Sequence, residues 1–152
     1  MTRKYEYDQI NGRLVPPLVI NSDHVLEGTH PGTVHVESGT LQIKGTLQGT
    51  LDVQEGAAVV ITGTQQGTVA IAPGATVTVF GAIQGTTALQ RGATLIIEAS
   101  GKLAGTLVNS GLVVLRGVFG GERVGSGQLR VEREGYIKQP IVRRDGVTYY
   151  EW

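Results

Sequence analysis

Cysteine is absent from this chain of 152 residues. Disulfides, thiolate metal sites and cysteine nucleophiles are therefore excluded. Proline is scarce, at 5 residues. Neither sign of charge is in excess, with 13 Lys and Arg against 13 Asp and Glu. Bulk charge thus gives no reason to expect a nucleic-acid or membrane partner. No run approaches the ~18 apolar residues of a membrane span, so none is expected. The opening MTRKYEYDQ is polar and lacks an apolar core of signal-peptide length. The expectation is a soluble, cytoplasmic protein.

Chemical motifs are missing too. The chain has no His-Glu-x-x-His, phosphate loop or nucleophile elbow. His24, His30 and His35 are the only histidines. Their spacings of six and five keep them off one strand face, so they read as surface or turn residues. Nothing resembles a paired-carboxylate or Ser/His/Asp site. No catalytic residue, metal or cofactor is expected.

What the chain does have is glycine, at 23 residues, together with abundant Val, Ile, Leu and Thr. Disorder needs low hydrophobicity and high net charge, and neither holds. Three successive blocks of equal length, LQIKGTLQGTLDVQEGAA, VVITGTQQGTVAIAPGAT and VTVFGAIQGTTALQRGAT, fill residues 41–58, 59–76 and 77–94. Stepping by six from Leu41 meets large apolar residues at Leu47, Val53, Val59, Ile71, Val77, Ile83, Leu89, Leu95, Leu107, Val113 and Phe119. The step fails only at Gln65 and Gly101. Glycines recur once per block at matching places, as at Gly45, Gly63 and Gly81.

A period of about 18 built from short strands predicts an all-β, single-domain, three-sided β-solenoid. Separate hairpins would need turn pairs such as Asn-Gly, and the repeat has none. Apolar spacings of two and six do not follow a helical period. Ala57, Val59 and Ile61 are expected inward on one side, with Val69 and Ile71 on another. About six coils are expected between His24 and Tyr136, wound right-handed. Stacking supplies the backbone hydrogen bonds that no single coil can make.

The ends differ from the middle. All five Tyr and the single Trp lie outside the repeats. The segments 1–23 and 136–152 are expected to cap a solenoid of 24–135, since open solenoid ends need covering. IVRRDGVTYYEW reads as a hairpin with Asp145-Gly146 in its turn. The outward columns in the middle are neutral and partly apolar. Val60, Phe80, Ile96 and Val114 are candidates for protein contact on a flat face. Tyr136, Arg143, Arg144, Tyr149, Tyr150 and Trp152 are a second set in the tail, because Tyr, Trp and Arg are common interface anchors.

The pattern V-x-I-x-G-x-x-x-G-T-V-x-I-x-x-G-A, at residues 59–75 and loosely at 77–93, resembles the bactofilins. The resemblance covers roughly residues 24–121. It implies a right-handed three-sided β-helix of the bacterial cytoskeleton that polymerises end to end without nucleotide. Three features depart from that family. The flanks are not Pro-rich tails, the N-terminus lacks an apolar targeting stretch, and the aromatic tail would sit on an end that polymerisation needs free. The hexapeptide acyltransferases have coils of the same length, but no long loop carrying a catalytic His interrupts the coils here. The chain is therefore expected to be a non-enzymatic solenoid working through protein–protein contact. It would act as a self-assembling scaffold or, alternatively, as a capped module such as an immunity protein against a bacterial toxin. A hexapeptide acyltransferase-like enzyme is the third reading.

Overall fold

The computed structural model describes residues 8–10, 12–15, 18–132, 135–137, 142–144 and 147–149. Among them every regular element is a strand. Three columns of parallel strands stack as a β-solenoid of about seven turns. Face A comprises β4 (His24–Leu26), β7 (Thr40–Ile43), β10 (Ala58–Ile61), β13 (Thr76–Val79), β16 (Thr94–Ile97), β18 (Leu112–Leu115) and β20 (Gln128–Val131). Face B holds the short strands β5 (Thr29–His30), β8 (Thr46–Leu47), β11 (Thr64–Gln65) and β14 (Ala82–Ile83). It continues through the first residues of β17 (Lys102–Asn109) and β19 (Val118–Val124) to β21 (Tyr136–Ile137). Face C runs through β3 (Leu18–Ile20), β6 (Val34–Val36), β9 (Leu51–Val53), β12 (Val69–Ile71) and β15 (Thr87–Leu89), then the later residues of β17 and β19. Strands β17 and β19 turn the corner from B to C unbroken, joining the two faces into one sheet.

The alternation of side chains in each strand decides what is core. Inward columns such as Leu41–Val59–Val77–Leu95–Val113 and Ile43–Ile61–Val79–Ile97–Leu115 are buried throughout. Leu51, Val69 and Leu107 line face C from inside, and Leu47, Ile83, Leu103 and Phe119 line face B. Backbone hydrogen bonds link each coil to the one before, as in Thr64 N to Gly45 O and Ala82 N to Gly63 O, both 3.0 Å. Seven rungs at ~4.8 Å give a rod about 30 Å long.

Glycine serves two separate needs. At the corner between faces C and A, Gly39, Gly56, Gly74 and Gly92 have φ from 77° to 88°, the left-handed turn that L side chains resist. At the corner between faces B and C, successive coils approach too closely for any Cβ. An added methyl on Gly67 would meet the carbonyl oxygen of Gly49, and one on Gly85 would meet that of Gly67.

The structure extends the solenoid at both ends. Parallel pairing begins at Leu18, which lies opposite Val34, inside the segment 1–23 expected as a cap. It ends at Ile137, inside the segment 136–152. Seven rungs therefore replace the expected six. The step between coils explains the difference. The steps from Leu18 to Val34 and from Val34 to Leu51 are both shorter than the one from Leu51 to Val69, so a uniform period misses the first rung. The step lengthens from Ala82 to Lys102, where Ala99 and Ser100 widen a corner, and shortens again from Lys102 to Val118. That widening puts Leu103, not Gly101, beneath Ile83. Two antiparallel hairpins flank the solenoid, β1 (Asp8–Ile10) with β2 (Arg13–Val15) and β22 (Val142–Arg144) with β23 (Val147–Tyr149). The second is the hairpin expected in the tail; Asp145 and Gly146 lie outside the described residues.

Among the described residues Gln65, Thr87 and Asn109 are the buried polar side chains. The Gln65 amide donates to Gly49 O at 2.9 Å, but its Oε1 is buried without a partner, as are Thr87 Oγ1 and His30 Nε2. A buried hydroxyl without a partner carries its whole desolvation cost. Thr87→Val keeps the shape and removes that cost, so unfolding in urea should show a gain of about 1 kcal/mol. Gly74→Ala should lose about 1–2 kcal/mol from its left-handed φ alone. Gly67→Ala should lose more, because backbone blocks its Cβ. Equal losses for the two glycine variants would refute the close-approach corner.

Candidate protein interface

Three outward columns clothe face A. Val60, Ile96 and Val114 belong to the middle column, with Gln42 and Thr78 between or beside them in register. Phe80 stands in the next column, beyond Val79. The sequence-derived set thus gathers on one sheet, but not equally at its surface. Phe80 is 42% exposed, and Val60 and Ile96 are half-buried. Val114 is only 8% exposed, far less accessible than Phe80. In-register stacking places it between Ile96 and the long side chain of Arg130, whose aliphatic stem can lie along such a column.

Of the tail candidates, the structure describes fewer. Tyr136 is exposed, but on the last rung of face B. Arg143 and Arg144 lie in β22 and Tyr149 in β23. Tyr150 and Trp152 lie outside the described residues. The three histidines fall on three different faces, His24 in β4, His30 in β5 and His35 in β6. Among the described residues no three His, Asp or Glu side chains meet in a way that could hold a metal ion. No helix among them is long and apolar enough to cross a membrane.

Two polar ladders cross the coils. Arg116 Nη1 donates to Glu98 Oε1 at 3.0 Å and its Nε to Glu132 Oε1 at 3.2 Å, so one guanidinium joins three successive rungs at the edge of face A. Those two hydrogen bonds, to Glu98 first and Glu132 second, raise the Arg116 pKa above its ordinary value. On face C, His35 Nδ1 lies 2.8 Å from Asp52 Oδ2. Neither ladder pairs a nucleophile with a base. A depression of about 470 Å³ on face B is lined by Ala82, Ile83, Gln84, Lys102 and Ala104, with Lys102 its one charged group.

The distribution of charge along the rod is more informative than any cluster. Residues 56–90, two full coils, contain no Asp, Glu, Lys or Arg on any face. From 18 to 55 five acidic residues (Asp23, Glu27, Glu37, Asp52, Glu55) accompany one base, Lys44. From 91 to 132 five basic residues (Arg91, Lys102, Arg116, Arg123, Arg130) outnumber Glu98, Glu122 and Glu132. The rod has an acidic start, a neutral waist and a basic finish.

The inward columns close with polar residues at several ends. His24 stands in register ahead of Leu41 and His30 ahead of Leu47. Arg123 follows Leu107 on face C. Sequence reasoning missed these terminators, since the variable step hides which residue points inward at the ends. It also missed the exposed valines Val19, Val108 and Val124, one outward column of face C. Compared with protein-family models, curated proteins and solved structures, the chain finds no match.

Burial separates the face A candidates experimentally. Ile96→Asp should leave the melting temperature within a few degrees of the parent. Val114→Asp should lower it clearly, because it buries an unpaired carboxylate. Equal, small shifts would return Val114 to the exposed surface.

Proposed function

We propose that the chain is a non-enzymatic β-solenoid scaffold that works through protein–protein contact along its sides. The uncharged waist at residues 56–90 is the observation that carries this reading. Soluble surfaces are ordinarily laced with charge, and interface centres are depleted in it. On face A the waist presents Ala58, Val60, Thr62, Thr76, Thr78 and Phe80, with Ile96 at its edge. Parallel pairing over seven rungs holds that surface flat and rigid, so docking costs little ordering entropy. A specific protein partner, as for an immunity protein, suits such a patch.

A second reading, an end-to-end filament like that of the bactofilins, draws support from the final rung. Val131, in the inward column below Leu115, is 47% exposed there. The polar residues His24, His30 and Arg123 at column ends weigh against it, since a continued core would bury them against a second copy.

Light scattering and negative-stain microscopy of the full chain separate the two readings. Particles of small, fixed mass support lateral contact; filaments would establish the end-to-end reading instead. Affinity capture with the parent chain and with a Phe80→Asp, Ile96→Asp double variant tests the face. The partner should be lost from the variant. Undiminished capture by a folded variant would remove face A as the contact surface.

A further inference from the structure

We infer that the depression on face B binds a small aliphatic carboxylate, its charge at Lys102 and its chain along Ala82, Ile83 and Ala104. Such a site lies apart from the contacts of face A and adds a ligand class that those contacts do not require. Three observations support it.

First, the concavity comes from how residues of different size stack. Ala82 lies in register with Lys102. The same offset, kept by Thr87 and Leu107, sets Gln84 beside Ala104. Two alanines thus occupy one diagonal of a square and two long side chains the other. The alanines keep the floor low, and Gln84 and Lys102 stand at opposite corners of it. The volume of about 470 Å³ falls in the range of small-molecule sites, which are mostly apolar with a few polar groups.

Second, the charge there is uncompensated. Before Lys102 the outward column of face B reads Thr29, Thr46, Thr64 and Ala82, and after it Val118 and Tyr136. Lys102 is the only charged residue of that column among the described ones. Glu98 is the acidic residue nearest to it in sequence, and Glu98 bonds Arg116 instead. Among the described residues no carboxylate pairs with Lys102. The preceding rung belongs to the uncharged waist and offers no anion either. A single ammonium beside an apolar floor matches a monoanion with an apolar body. A phosphate would call for several charged donors.

Third, the corner widened by Ala99 and Ser100 leads directly into Lys102. Its extra residues are tied to the coil before, since Ser100 Oγ donates to Phe80 O and Lys102 N to Gly81 O, both at 2.9 Å. In solenoids such insertions commonly lie on the binding face.

The depression is open, so about half of each methylene would be covered. A fully buried methylene is worth roughly fourfold in affinity, and a half-covered one about twofold. Amide-resolved NMR of the full chain, titrated with butanoate, hexanoate and octanoate, reads the site directly. Shifts should centre on residues 82–84 and 102–104. Octanoate should bind about 16-fold more tightly than butanoate. Lys102→Met keeps the stem and removes the charge. It should bring octanoate down to the affinity of octanamide, which has the same chain and no charge, while Lys102→Arg retains most of the binding. Ala82→Leu fills the floor and should abolish binding while circular dichroism stays that of the parent. An absence of shifts around Lys102 at tens of millimolar octanoate overturns the inference. So does an octanoate affinity that Lys102→Met leaves unchanged, or shifts of equal size at Lys44, Arg91 and Arg123, which would mark a general ion atmosphere. Capture through face A does not involve Lys102, so the two readings stand or fall separately.

Discussion

Hydrogen bonding from each coil to the next, in register, is the constraint on which the rest of this structure depends. Within one coil the backbone pairs with itself only at corners, as Ala57 N does with Gln54 O. A strand amide must find its carbonyl one coil away, as Gln66 N finds Leu47 O and Gln84 N finds Gln65 O. The chain must therefore return to the same place after every circuit. An inward side chain then sits beneath an inward side chain, and a turn beneath a turn. That is why Val59 lies between Leu41 and Val77, and why glycine recurs at the corners. The repetition in sequence is the imprint of this closure condition, and the core columns follow from it.

The middle of the fold was legible because the closure length there does not vary from coil to coil. Val59, Val77 and Leu95 could be aligned from spacing alone, and all are buried. The ends were less legible because corners can absorb or release residues without disturbing the strands. Ala99 and Ser100 add to one corner. The next is shortened to Ser110 and Gly111, with Asn109 bridging it. The Asn109 Oδ1 accepts from Gly111 N at 3.0 Å and its Nδ2 donates to Gln128 O at 2.9 Å. A fixed period puts Gly101 in the core column, where the structure has Leu103. Of the candidate surface, the column of Val60, Ile96 and Val114 was readable, but the depth of Val114 was not. Exposure depends on what stacks at the next rung, and a shortened coil brings Arg130 to that place beside Val114.

Outward residues are free of the closure condition. A rung needs a β-compatible residue facing solvent and little more, so the outer columns can carry whatever function requires. The contrast between the two polar ladders and the waist is informative for that reason. Glu98, Arg116 and Glu132 show that this surface can hold ions in register from coil to coil. Exposed pairs of this kind contribute little stability. Their absence from residues 56–90 therefore cannot be assigned to the needs of folding. Thr and Val would satisfy the sheet, but so would Lys or Glu at several of these positions, as Lys44, Asp52 and Glu98 do in neighbouring coils.

The polar residues at the column ends bear on how the rod terminates. A solenoid that grows by stacking has no reason to place His24 and His30 in inward columns, where a further coil would strip them of water. Arg123 is still less suited, since a further coil would bury a guanidinium. In a rod of finite length His24 and Arg123 meet solvent at the ends, and with the half-buried His30 they keep the core columns from presenting an unbroken apolar face. The sides then remain as the surfaces on which contact can be made without uncovering a charge. Of the three, two are broad enough to serve. Face A is interrupted at its far end by the Glu98–Arg116–Glu132 ladder. On face C His35 Nδ1 lies 2.8 Å from Asp52 Oδ2, and the rest of the central outward column is Val and Ala. The two faces therefore differ in kind, one carrying an ionic ladder across three rungs and the other a column of small apolar residues.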